Sequence, residues 1–318
     1  MDDRPARSGE QPLSGDNYPR FGLGCWLFGL AESDEDRRRA DDVITTAYER
    51  GVRHFDTARG YGDGVSEAIV AQALAGRPDA EVATKSRALG YKETLAAVDD
   101  SRKRLGRDRI DLFYVHWPRE GFDIRPMMEA LESARAAGHI AAVGVSNFAV
   151  ADLEQAREAA RIDVHQIGYS LLWRFAESDV TGYCRRHSIR IYSYSSLAQG
   201  LLTGKVPATP SFPDGDPRST TVFYDWDVWP HVHDAVIRMK ERAQMERIDL
   251  HQAAIRWLVD SAGVDRVLVG ARTTDQLEST LSSFRVELDA SLLADLQTIS
   301  DEVHRYLPES GNIFRYYP

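Results

Sequence analysis

The sequence has 318 residues, of which 43% are hydrophobic, and its formal net charge is −10. This length allows one large domain or two small ones with a sizeable core. The negative charge argues against a general binder of nucleic acid or of anionic membranes, because such proteins present a basic surface. There are only two cysteines and no CxxC spacing, so we expect no disulfide framework and a reducing, cytoplasmic environment.

The N-terminal stretch MDDRPARSGE lacks the apolar segment of a secretory signal, so we expect none. No apolar run approaches the length of about 20 residues that a membrane span needs. Residues 1–18 are polar, with several Gly, Pro and charged residues, and we predict that they form a mobile tail. Residues 19–318 are predicted to form one domain.

From residue 20 onward, short β-like runs alternate with amphipathic helical segments. The predicted strands are 20–25, 52–57, 81–85, 110–117, 140–147, 164–169, 189–195 and 266–271. The predicted helices include 37–50, 91–105, 125–137, 149–160 and 274–283. Such alternation implies parallel strands joined by right-handed crossovers. Eight of these units in a chain of this length predict a closed (β/α)8 TIM barrel.

Two segments interrupt the alternation. Residues 204–230 contain five prolines, and residues 305–318 follow the last helix with four aromatic residues. Connections this long are either disordered or cover functional sites. Their aromatic content favours the second interpretation, so we predict that both segments pack over the active site.

Active sites of such barrels lie at the carboxyl ends of the strands, and polar side chains occupy these ends on consecutive strands. Asp56 and Tyr61 follow the second strand, Lys85 ends the third and His116 ends the fourth. Further along stand Ser146, Asn147, Gln166 and Tyr194. Each has an ordinary explanation by itself, such as a surface lysine, a core histidine or a helix cap. Their recurrence at one end of a barrel favours a shared site.

These residue types suit general acid catalysis. A free tyrosine has a pKa of about 10 and is a weak acid at neutral pH. The Lys85 ammonium is expected to favour the phenolate of Tyr61 and so lower its pKa, while Asp56 keeps the lysine charged and oriented. His116 could orient a carbonyl or share its proton. The set predicts protonation of an oxygen while another group delivers hydride, and this step needs no metal.

Other hypotheses remain open on these residues. Lys85 could form a Schiff base in an aldolase or lyase, although a lysine flanked by Asp56 and Tyr61 should stay charged. His231 and His233 could bind a metal, but side chains at this spacing diverge on a helix, so no metal site is predicted.

The motifs FDTARGYG (55–62), YVHWP (114–118), GVSNF (144–148) and YSSLAQGLLTGK (194–205), with Lys85 and Gln166, closely resemble the aldo-keto reductase superfamily over about residues 20–301. SFPDGDPR (211–218) and GARTTDQL (270–277) resemble its bacterial inositol-utilisation and general-stress reductase branch. The resemblance implies an oxidoreductase that interconverts aldehydes, aldoses or ketones and their alcohols, with NADP preferred to NAD. It also allows a partner subunit that binds cofactor without turnover. The implied partner is a small molecule, with no nucleic acid or membrane, and the implied state is a monomer or small homo-oligomer.

The resemblance also implies roles for individual residues. Asp56, Tyr61, Lys85 and His116 match the catalytic tetrad. The implied cofactor contacts are Gly24, Cys25, Trp26, Asp56, Ser146, Asn147, Gln166, Tyr194, Ser195, Ser196, Leu197, Gln199, Gly200, Leu201, Lys205, Gly270, Ala271, Arg272, Thr273, Gln276, Ser279 and Thr280. Within this set, Ser146, Asn147 and Gln166 hold the nicotinamide carboxamide and Tyr194 stacks on its ring. Residues 195–202 wrap the pyrophosphate and residues 270–280 hold the adenosine end.

The sequence departs from the family pattern at two places. Ser196 stands where relatives commonly have proline, and Ser279 and Thr280 replace a Glu-Asn pair. The expected substrate contacts are Trp26, Arg59, Tyr61, His116, Trp117, Trp173 and Tyr224. Arg59 and Arg218 are the cations expected to meet a hydroxylated or anionic group, although Arg59 could equally face solvent.

Overall fold

The computed structural model of the chain describes residues 18–261, 263–307 and 312–317. Eight parallel strands pair in chain order and close into a barrel. They are β1 (Phe21–Gly24), β2 (His54–Asp56), β3 (Glu81–Ser86), β4 (Ile110–Val115), β5 (Ile140–Ser146), β6 (Val164–Gly168), β7 (Arg190–Tyr194) and β8 (Arg266–Val269). Because β8 pairs with β1, the predicted (β/α)8 barrel is confirmed.

The described residues form ten α-helices around the strands. They are α1 (Asp34–Glu49), α2 (Val65–Ala73), α3 (Tyr91–Leu105), α4 (Arg125–Ala136), α5 (Val150–Arg157), α6 (Val180–Arg186), α7 (Trp229–Met245), α8 (Leu250–Asp260), α9 (Thr274–Ser282) and α10 (Ala290–His304). Short 3₁₀ turns occur at Trp26–Leu30, Phe175–Glu177, Ala198–Thr203, Pro217–Thr220, Val222–Tyr224 and Ser283–Arg285. No helix in the described part of the chain is long and apolar enough to cross a bilayer.

Local sequence explains where α1 begins. Ser33 precedes the helix, and its hydroxyl accepts from the Asp36 backbone N–H at 3.1 Å. The Asp36 carboxylate accepts in return from the Ser33 backbone N–H at 3.1 Å, which completes a capping box. This cap starts α1 ahead of the predicted segment 37–50, whose apolar spacing alone gave no signal for the first turn.

The strand ends differ slightly from the predicted ones. The predicted fourth strand, 110–117, ends at Val115, because His116 and the residues after it leave the sheet to form the carboxyl-end loop. The backbone N–H of His116 still donates to the Ser86 carbonyl oxygen at 2.8 Å, so the loop starts from a fixed point. The polar residues predicted at the strand ends therefore do lie at one end of the barrel.

Alternate strand residues fill the barrel interior. The buried interior cluster consists of Ala83, Leu112, Tyr114, Val164, Tyr192 and Leu268. Gly144 makes room for the largest of these side chains, since a Cβ there would lie 2.3 Å from Cδ1 of Tyr114. Near the amino ends of the strands, the Arg266 guanidinium lies 4.9 Å from the Tyr192 ring centroid and pairs with Glu81 at 3.0 Å. The interior is thus packed, and the site lies above it at the carboxyl ends.

The two irregular segments contact each other. The Val222 backbone N–H donates to the Ile313 carbonyl oxygen at 3.0 Å, and Arg315 forms an ion pair with Asp225. Of the predicted mobile tail, residues 1–17 lie outside the described residues, as do 308–311 and 318 of the C-terminal segment. Tyr18 packs edge-on against Phe284, with 5.7 Å between ring centroids, and so is part of the domain.

Candidate active site

Close backbone packing explains the glycine after Tyr61. Gly62 has a φ of +61°, and a Cβ there would lie 2.1 Å from the Gly29 carbonyl oxygen. A Cβ at Gly29 would in turn lie 2.6 Å from the carbonyl carbon of Tyr61. Only glycine fits at both positions. The loop that carries Tyr61 is therefore pressed against the turn after β1, and its conformation is fixed.

A buried ion pair lies at the centre of the site. Lys85 is fully buried at the end of β3 and donates to the Asp56 carboxylate and, at 2.9 Å, to the Thr57 carbonyl oxygen. The second Asp56 oxygen accepts from Gln166 Nε2 at 2.8 Å. Burial disfavours the Lys85 ammonium, but the charges of Asp56 and Tyr61 and their hydrogen bonds outweigh it and raise its pKa. Lys85 therefore stays charged.

The Tyr61 ring lies against this ion pair. Its centroid is 5.1 Å from Lys85 Nζ and 5.6 Å from the centroid of the His116 ring, which meets it edge-on. Burial raises the pKa of Tyr61, and the Lys85 charge opposes this rise without cancelling it. The prediction that Lys85 brings this pKa below that of a free phenol is wrong, because desolvation of the phenolate outweighs the lysine charge.

His116 is a neutral imidazole. Burial and, second, the charge of Lys85 lower its pKa to about 3. A neutral ring donates through one nitrogen and accepts through the other. It can thus orient a carbonyl oxygen without acting as an acid.

Sequence reasoning missed Tyr114. Its buried ring lies 5.6 Å from Lys85 Nζ, so the ammonium contacts two tyrosine rings, those of Tyr61 and Tyr114. The signal was present, because Leu112, Tyr114 and His116 alternate along β4 and its continuation and must share the interior face.

The residues predicted to hold the nicotinamide form one network, except Gln166. The Tyr194 hydroxyl donates to Asn147 Oδ1 at 2.7 Å, and Asn147 Nδ2 donates to Ser146 Oγ at 3.0 Å. Asn147 has a φ of +63°, which turns the chain sharply after β5. Gln166 is directed to Asp56 through its Nε2.

The three predicted cofactor contacts that follow β1 or end it, Gly24, Cys25 and Trp26, have different environments. Gly24 and Gly270 approach across β1 and β8, since a Cβ at Gly24 would lie 3.5 Å from the Gly270 nitrogen. Cys25 is fully buried, and burial raises the pKa of its thiol, so it is unreactive. Trp26 is 38% exposed and stands at the surface.

The predicted pyrophosphate loop has an unusual backbone. Ser195, Gln199 and Gly200 have φ values of +52°, +57° and +94°. Ser196, which replaces the common proline, donates from its hydroxyl to the Leu268 carbonyl oxygen at 2.9 Å and so ties the loop to β8. Inside the loop the Ala198 N–H donates to the Ser195 carbonyl oxygen at 2.7 Å, and the Gly200 N–H donates to the Leu197 carbonyl oxygen at 2.9 Å. Two leucines of this loop, Leu197 and Leu201, were also predicted to contact the cofactor. Leu201 is buried, and Leu197 is half-buried.

The predicted adenosine segment starts α9. Thr273 caps the helix by accepting from the Gln276 N–H at 3.2 Å, and the Arg272 N–H donates to Gln276 Oε1 at 2.8 Å. Ala271 is buried, whereas the Arg272 side chain is exposed. The two residues that depart from the family pattern are both in contact with the protein itself. Ser279 hydrogen-bonds His251 at 2.7 Å, and Thr280 is buried.

An aromatic cluster brings two predicted substrate residues together. Phe314 meets Trp117 edge-on at 6.3 Å and Trp173 at 5.7 Å, measured between ring centroids. Tyr316 meets Trp117 at 5.3 Å, and Trp173 also packs on Tyr194 at 5.7 Å. The C-terminal segment thus covers side chains that follow β4, β6 and β7 at the carboxyl end.

The other predicted substrate residues have separate partners. Arg59 lies 3.5 Å from the Asp100 carboxylate on α3, and Arg218 pairs with Asp216 at 2.6 Å. Tyr224 stacks on Trp229 at 4.9 Å and meets Phe212 at 4.7 Å. Because each arginine already faces a carboxylate of the protein, the structure does not favour the predicted contact of Arg59 or Arg218 with an anionic substrate group.

His231 and His233 do not share a site. His231 stacks on Tyr306, with 3.5 Å between centroids, and His233 packs against Trp229 at 5.3 Å. Within residues 18–261, 263–307 and 312–317, no cluster of three or more His, Cys, Asp or Glu side chains is arranged to hold a metal ion.

Comparison with known proteins adds an independent line of evidence. A sequence profile described as the Aldo/keto reductase family matches residues 20–301. The chain is 31% identical over 296 residues to the aldo-keto reductase YhdN of Bacillus subtilis, covering 88% of this chain and 89% of that protein. It is 27% identical over 308 residues to an NADH-specific methylglyoxal reductase of Escherichia coli, covering 87% and 94%. The narrower resemblance to one bacterial branch stays a prediction.

Two solved structures share the fold. A glycerol dehydrogenase from Gluconobacter oxydans superposes with a TM-score of 0.81 at 29% identity and covers 91% of this chain and 92% of its own. An aldo/keto reductase from Klebsiella pneumoniae, solved with NADP and acetate, superposes with a TM-score of 0.73 at 25% identity and covers 94% and 95%.

Proposed function

We propose, from the premise that the chain belongs to the aldo/keto reductase family, that it interconverts a carbonyl compound and an alcohol by hydride transfer, with NADP(H) as cofactor. The proposed substrates are aldehydes, aldoses or ketones. The observation that carries the proposal is the buried Lys85–Asp56 ion pair against the Tyr61 ring.

Tyr61 is the proposed proton donor. Reduction of a carbonyl places negative charge on its oxygen, which must receive a proton. Because burial raises the pKa of Tyr61, the phenol keeps its proton at neutral pH until an oxyanion develops beside it. The charged Lys85 then stabilises the phenolate that remains, and in alcohol oxidation the same phenolate accepts the proton.

His116 is the proposed orienting group. Its neutral imidazole can donate a hydrogen bond to the substrate oxygen, and its ring lies edge-on to Tyr61. Both polar groups would thus address one oxygen. The covering aromatic cluster of Trp117, Trp173, Phe314 and Tyr316 would reduce water access to this oxygen.

The residues at the carboxyl end fit a nicotinamide dinucleotide. When bound, NADP(H) supplies or accepts the hydride at the carbonyl carbon. The Asn147–Tyr194 pair offers amide and hydroxyl groups for the nicotinamide end. The pyrophosphate is proposed to lie at residues 195–200, where Ser195, Gln199 and Gly200 have left-handed backbone conformations.

The preference for NADP over NAD rests on two cations. Arg272 and Lys205 are exposed, and neither forms an ion pair within the described part of the chain. Arg272 belongs to the segment proposed to hold the adenosine end, and Lys205 follows the segment proposed to hold the pyrophosphate. The Klebsiella pneumoniae structure contains NADP, whereas the Escherichia coli relative is named as NADH-specific, so relatives differ in cofactor. A cytoplasmic location and a monomeric or small homo-oligomeric state remain predictions.

The Schiff-base alternative requires a neutral Lys85 amine. The Asp56 carboxylate and the Thr57 carbonyl oxygen both accept from Lys85, and its raised pKa opposes deprotonation. Borohydride trapping with a carbonyl substrate tests this alternative directly. A cofactor-binding partner subunit without turnover is the other alternative, and measurement of turnover tests it.

The decisive experiment measures nicotinamide absorbance in both directions with aldehydes, aldoses, cyclitols and quinones. Wild type is compared with Tyr61→Phe and with the control Tyr306→Phe, whose exposed ring stacks on His231. We expect Tyr61→Phe to turn over about 10²–10⁴-fold more slowly than wild type, with its NADPH affinity unchanged. Tyr306→Phe should match wild type in both turnover and affinity. Retained turnover in Tyr61→Phe would contradict the assignment. Cofactor binding without any turnover would identify a partner subunit.

A further inference from the structure

A cavity of about 520 Å³ opens between the loops that follow β3 and β4. Its lining includes Arg87, Leu89, Trp117, Arg119 and Phe122. Aromatic walls and two guanidinium groups thus line one space. Neither Arg87 nor Arg119 was among the predicted site residues.

The cavity adjoins the proposed active site. The backbone hydrogen bond between His116 and Ser86 places Arg87 beside His116 where β3 and β4 end. Trp117 follows His116 directly in the chain. Trp117 both lines the cavity and was predicted to contact the substrate, so it is the residue that the cavity and the proposed site have in common.

The two cavity arginines, unlike Arg59 and Arg218, have no carboxylate partner among the described residues. Arg87 and Arg119 are exposed, and no ion pair involves either of them in the regions that the structure describes. The carboxylates beside Arg59 and Arg218 already balance those two cations. The Arg119 guanidinium carbon lies 4.3 Å from the Phe122 ring centroid, a cation–π contact that places the guanidinium at the cavity wall.

The Glu93 carboxylate borders this cavity. Gly90 lies on its lining, and the Glu93 carboxylate oxygen Oε2 is 2.6 Å from the position that a Cβ at Gly90 would take. Its charge weakens the field of the arginines at that edge. Removal of this charge should therefore have the opposite effect to removal of an arginine.

We propose that this cavity binds an anionic group of the substrate, and that the preferred substrates are carbonyl compounds carrying a carboxylate or a phosphate. The carbonyl would lie at Tyr61, an apolar or aromatic spacer at Trp117, and the anion between Arg87 and Arg119. Planar guanidinium groups bind both oxyanions through paired hydrogen bonds. The inference rests on the proposed function, which it narrows to a substrate class.

The test compares substrates that differ only in charge. 4-Carboxybenzaldehyde is matched with its neutral methyl ester, and glyceraldehyde 3-phosphate with glyceraldehyde. Wild type should show a higher kcat/KM for at least one charged member. The two pairs also separate a carboxylate preference from a phosphate preference.

The variants are Arg87→Ala, Arg119→Ala, Glu93→Gln and the control Arg38→Ala, which removes an equal charge from the exposed face of α1. Each cavity arginine variant should lower kcat/KM for the charged substrate by about tenfold and change the neutral one by less than about twofold. Glu93→Gln should raise kcat/KM for the charged substrate. Arg38→Ala should leave both unchanged.

Equal changes for charged and neutral substrates in Arg87→Ala and Arg119→Ala would overturn the proposal, as would a wild type that prefers the neutral member of both pairs. Turnover of the neutral aldehydes reports the proposed function separately. If no aldehyde turns over, calorimetric titration with terephthalate still decides the point: binding lost in both arginine variants but kept in Arg38→Ala supports the site, and absent or unchanged binding rejects it.

Discussion

Lys85 Nζ lies 5.1 Å from the centroid of the Tyr61 ring and is held there by the Asp56 carboxylate. The ammonium is therefore a fixed positive charge beside a buried phenol. Burial raises the pKa of Tyr61, and Lys85 limits that rise. The pH dependence of both reaction directions should report this balance.

Lys85→Met should move the alkaline limb of the pH–rate profile to higher pH. Without the cation, the pKa of Tyr61 rises further, so alcohol oxidation, which needs the phenolate, requires a higher pH. Reduction, which needs the phenol, should fall off later as pH rises. Initial rates in both directions across the alkaline range measure the shift, with Lys92→Met on exposed α3 as the control.

Lys85→Met also leaves the Asp56 carboxylate buried without a counter-ion. The double variant Asp56→Asn, Lys85→Met removes both charges. In the double variant the alkaline limb should move to higher pH by less than in Lys85→Met alone, because Asp56 itself raises the pKa of Tyr61. An unchanged profile in both variants would show that Lys85 does not set the acidity of Tyr61.

The barrel, and the polar residues that meet at its carboxyl end, could be predicted from the sequence for a physical reason, whereas the catalytic roles of these residues came from the family resemblance and stay a prediction. Strand periodicity and the fold rule together place Asp56, Lys85 and His116 at one barrel end, and the structure brings them together with Tyr61. These positions follow from local pattern. The sign of the pKa shift at Tyr61 does not, because it depends on how fully the surrounding chain excludes water.

Charge balance was predictable only for near neighbours. Asp216 stands two positions before Arg218, so their ion pair could have been expected from the sequence, although we predicted a substrate contact for Arg218 instead. The Arg59–Asp100 contact joins different elements and was not visible. Ion pairs between distant segments cannot be seen in the sequence. The sequence therefore could not show that Arg87 has no acidic partner among the described residues.

Gly144→Ala should destabilise the fold. The added Cβ would meet the Tyr114 ring at 2.3 Å inside a packed barrel where the ring has little room to move. Overpacking of this kind costs about 1–3 kcal/mol. Urea unfolding measures it, with Gly60→Ala as control, because a Cβ at Gly60 meets nothing within 4 Å. Adding Tyr114→Leu should restore part of the loss; no restoration would place the strain elsewhere.

Acid should destabilise the protein in part through His165. The ring is fully buried, its Nε2 accepts from the Phe148 N–H at 3.0 Å, and burial lowers its pKa to about 3. The unfolded chain, with a histidine pKa of about 6.5, binds more protons between these values. The contribution of His165 to the free energy of unfolding is therefore fully present above a pH of about 6.5. As the pH falls from there toward 3, this contribution decreases by up to about 1.4 kcal/mol per pH unit.

Denaturant unfolding across this range measures the slope. His165→Gln can keep an acceptor for the Phe148 N–H but cannot take up the proton. Its unfolding free energy should fall less steeply with acid than that of wild type. His54 and His116, whose pKa values burial also lowers, are among the other groups that contribute to the slope. Parallel slopes would mean that His165 does not contribute.

Truncation after Leu307 should change substrate preference more than cofactor affinity. It removes Phe314 and Tyr316, which pack on Trp117 and Trp173 at the proposed site. The ratio of kcat/KM for benzaldehyde to that for glyceraldehyde should shift, with little change in the NADPH dissociation constant. Phe314→Ala should show the same direction if the full truncation does not fold. An equal loss for both aldehydes would argue against a role in specificity.

Arg272→Ala should weaken NADPH binding and leave NADH binding nearly unchanged. NADP differs from NAD by one phosphate on the adenosine ribose, and Arg272 stands exposed next to the first turn of α9. The helix N-terminus there, capped by Thr273, adds peptide N–H groups and a favourable dipole. Hydrogen bonds to a charged group contribute about 1.5–3 kcal/mol, so NADPH affinity should fall by about one to two orders of magnitude.

Fluorescence titration of wild type and Arg272→Ala with both cofactors measures this difference. Arg305→Ala, an exposed arginine at the end of α10, controls for the loss of one positive charge. Lys205→Ala should add to the NADPH loss if its ammonium also faces the phosphate groups. A parallel loss of NADPH and NADH affinity in Arg272→Ala would show that this arginine does not distinguish the phosphate, and the preference for NADP would then lose its main support.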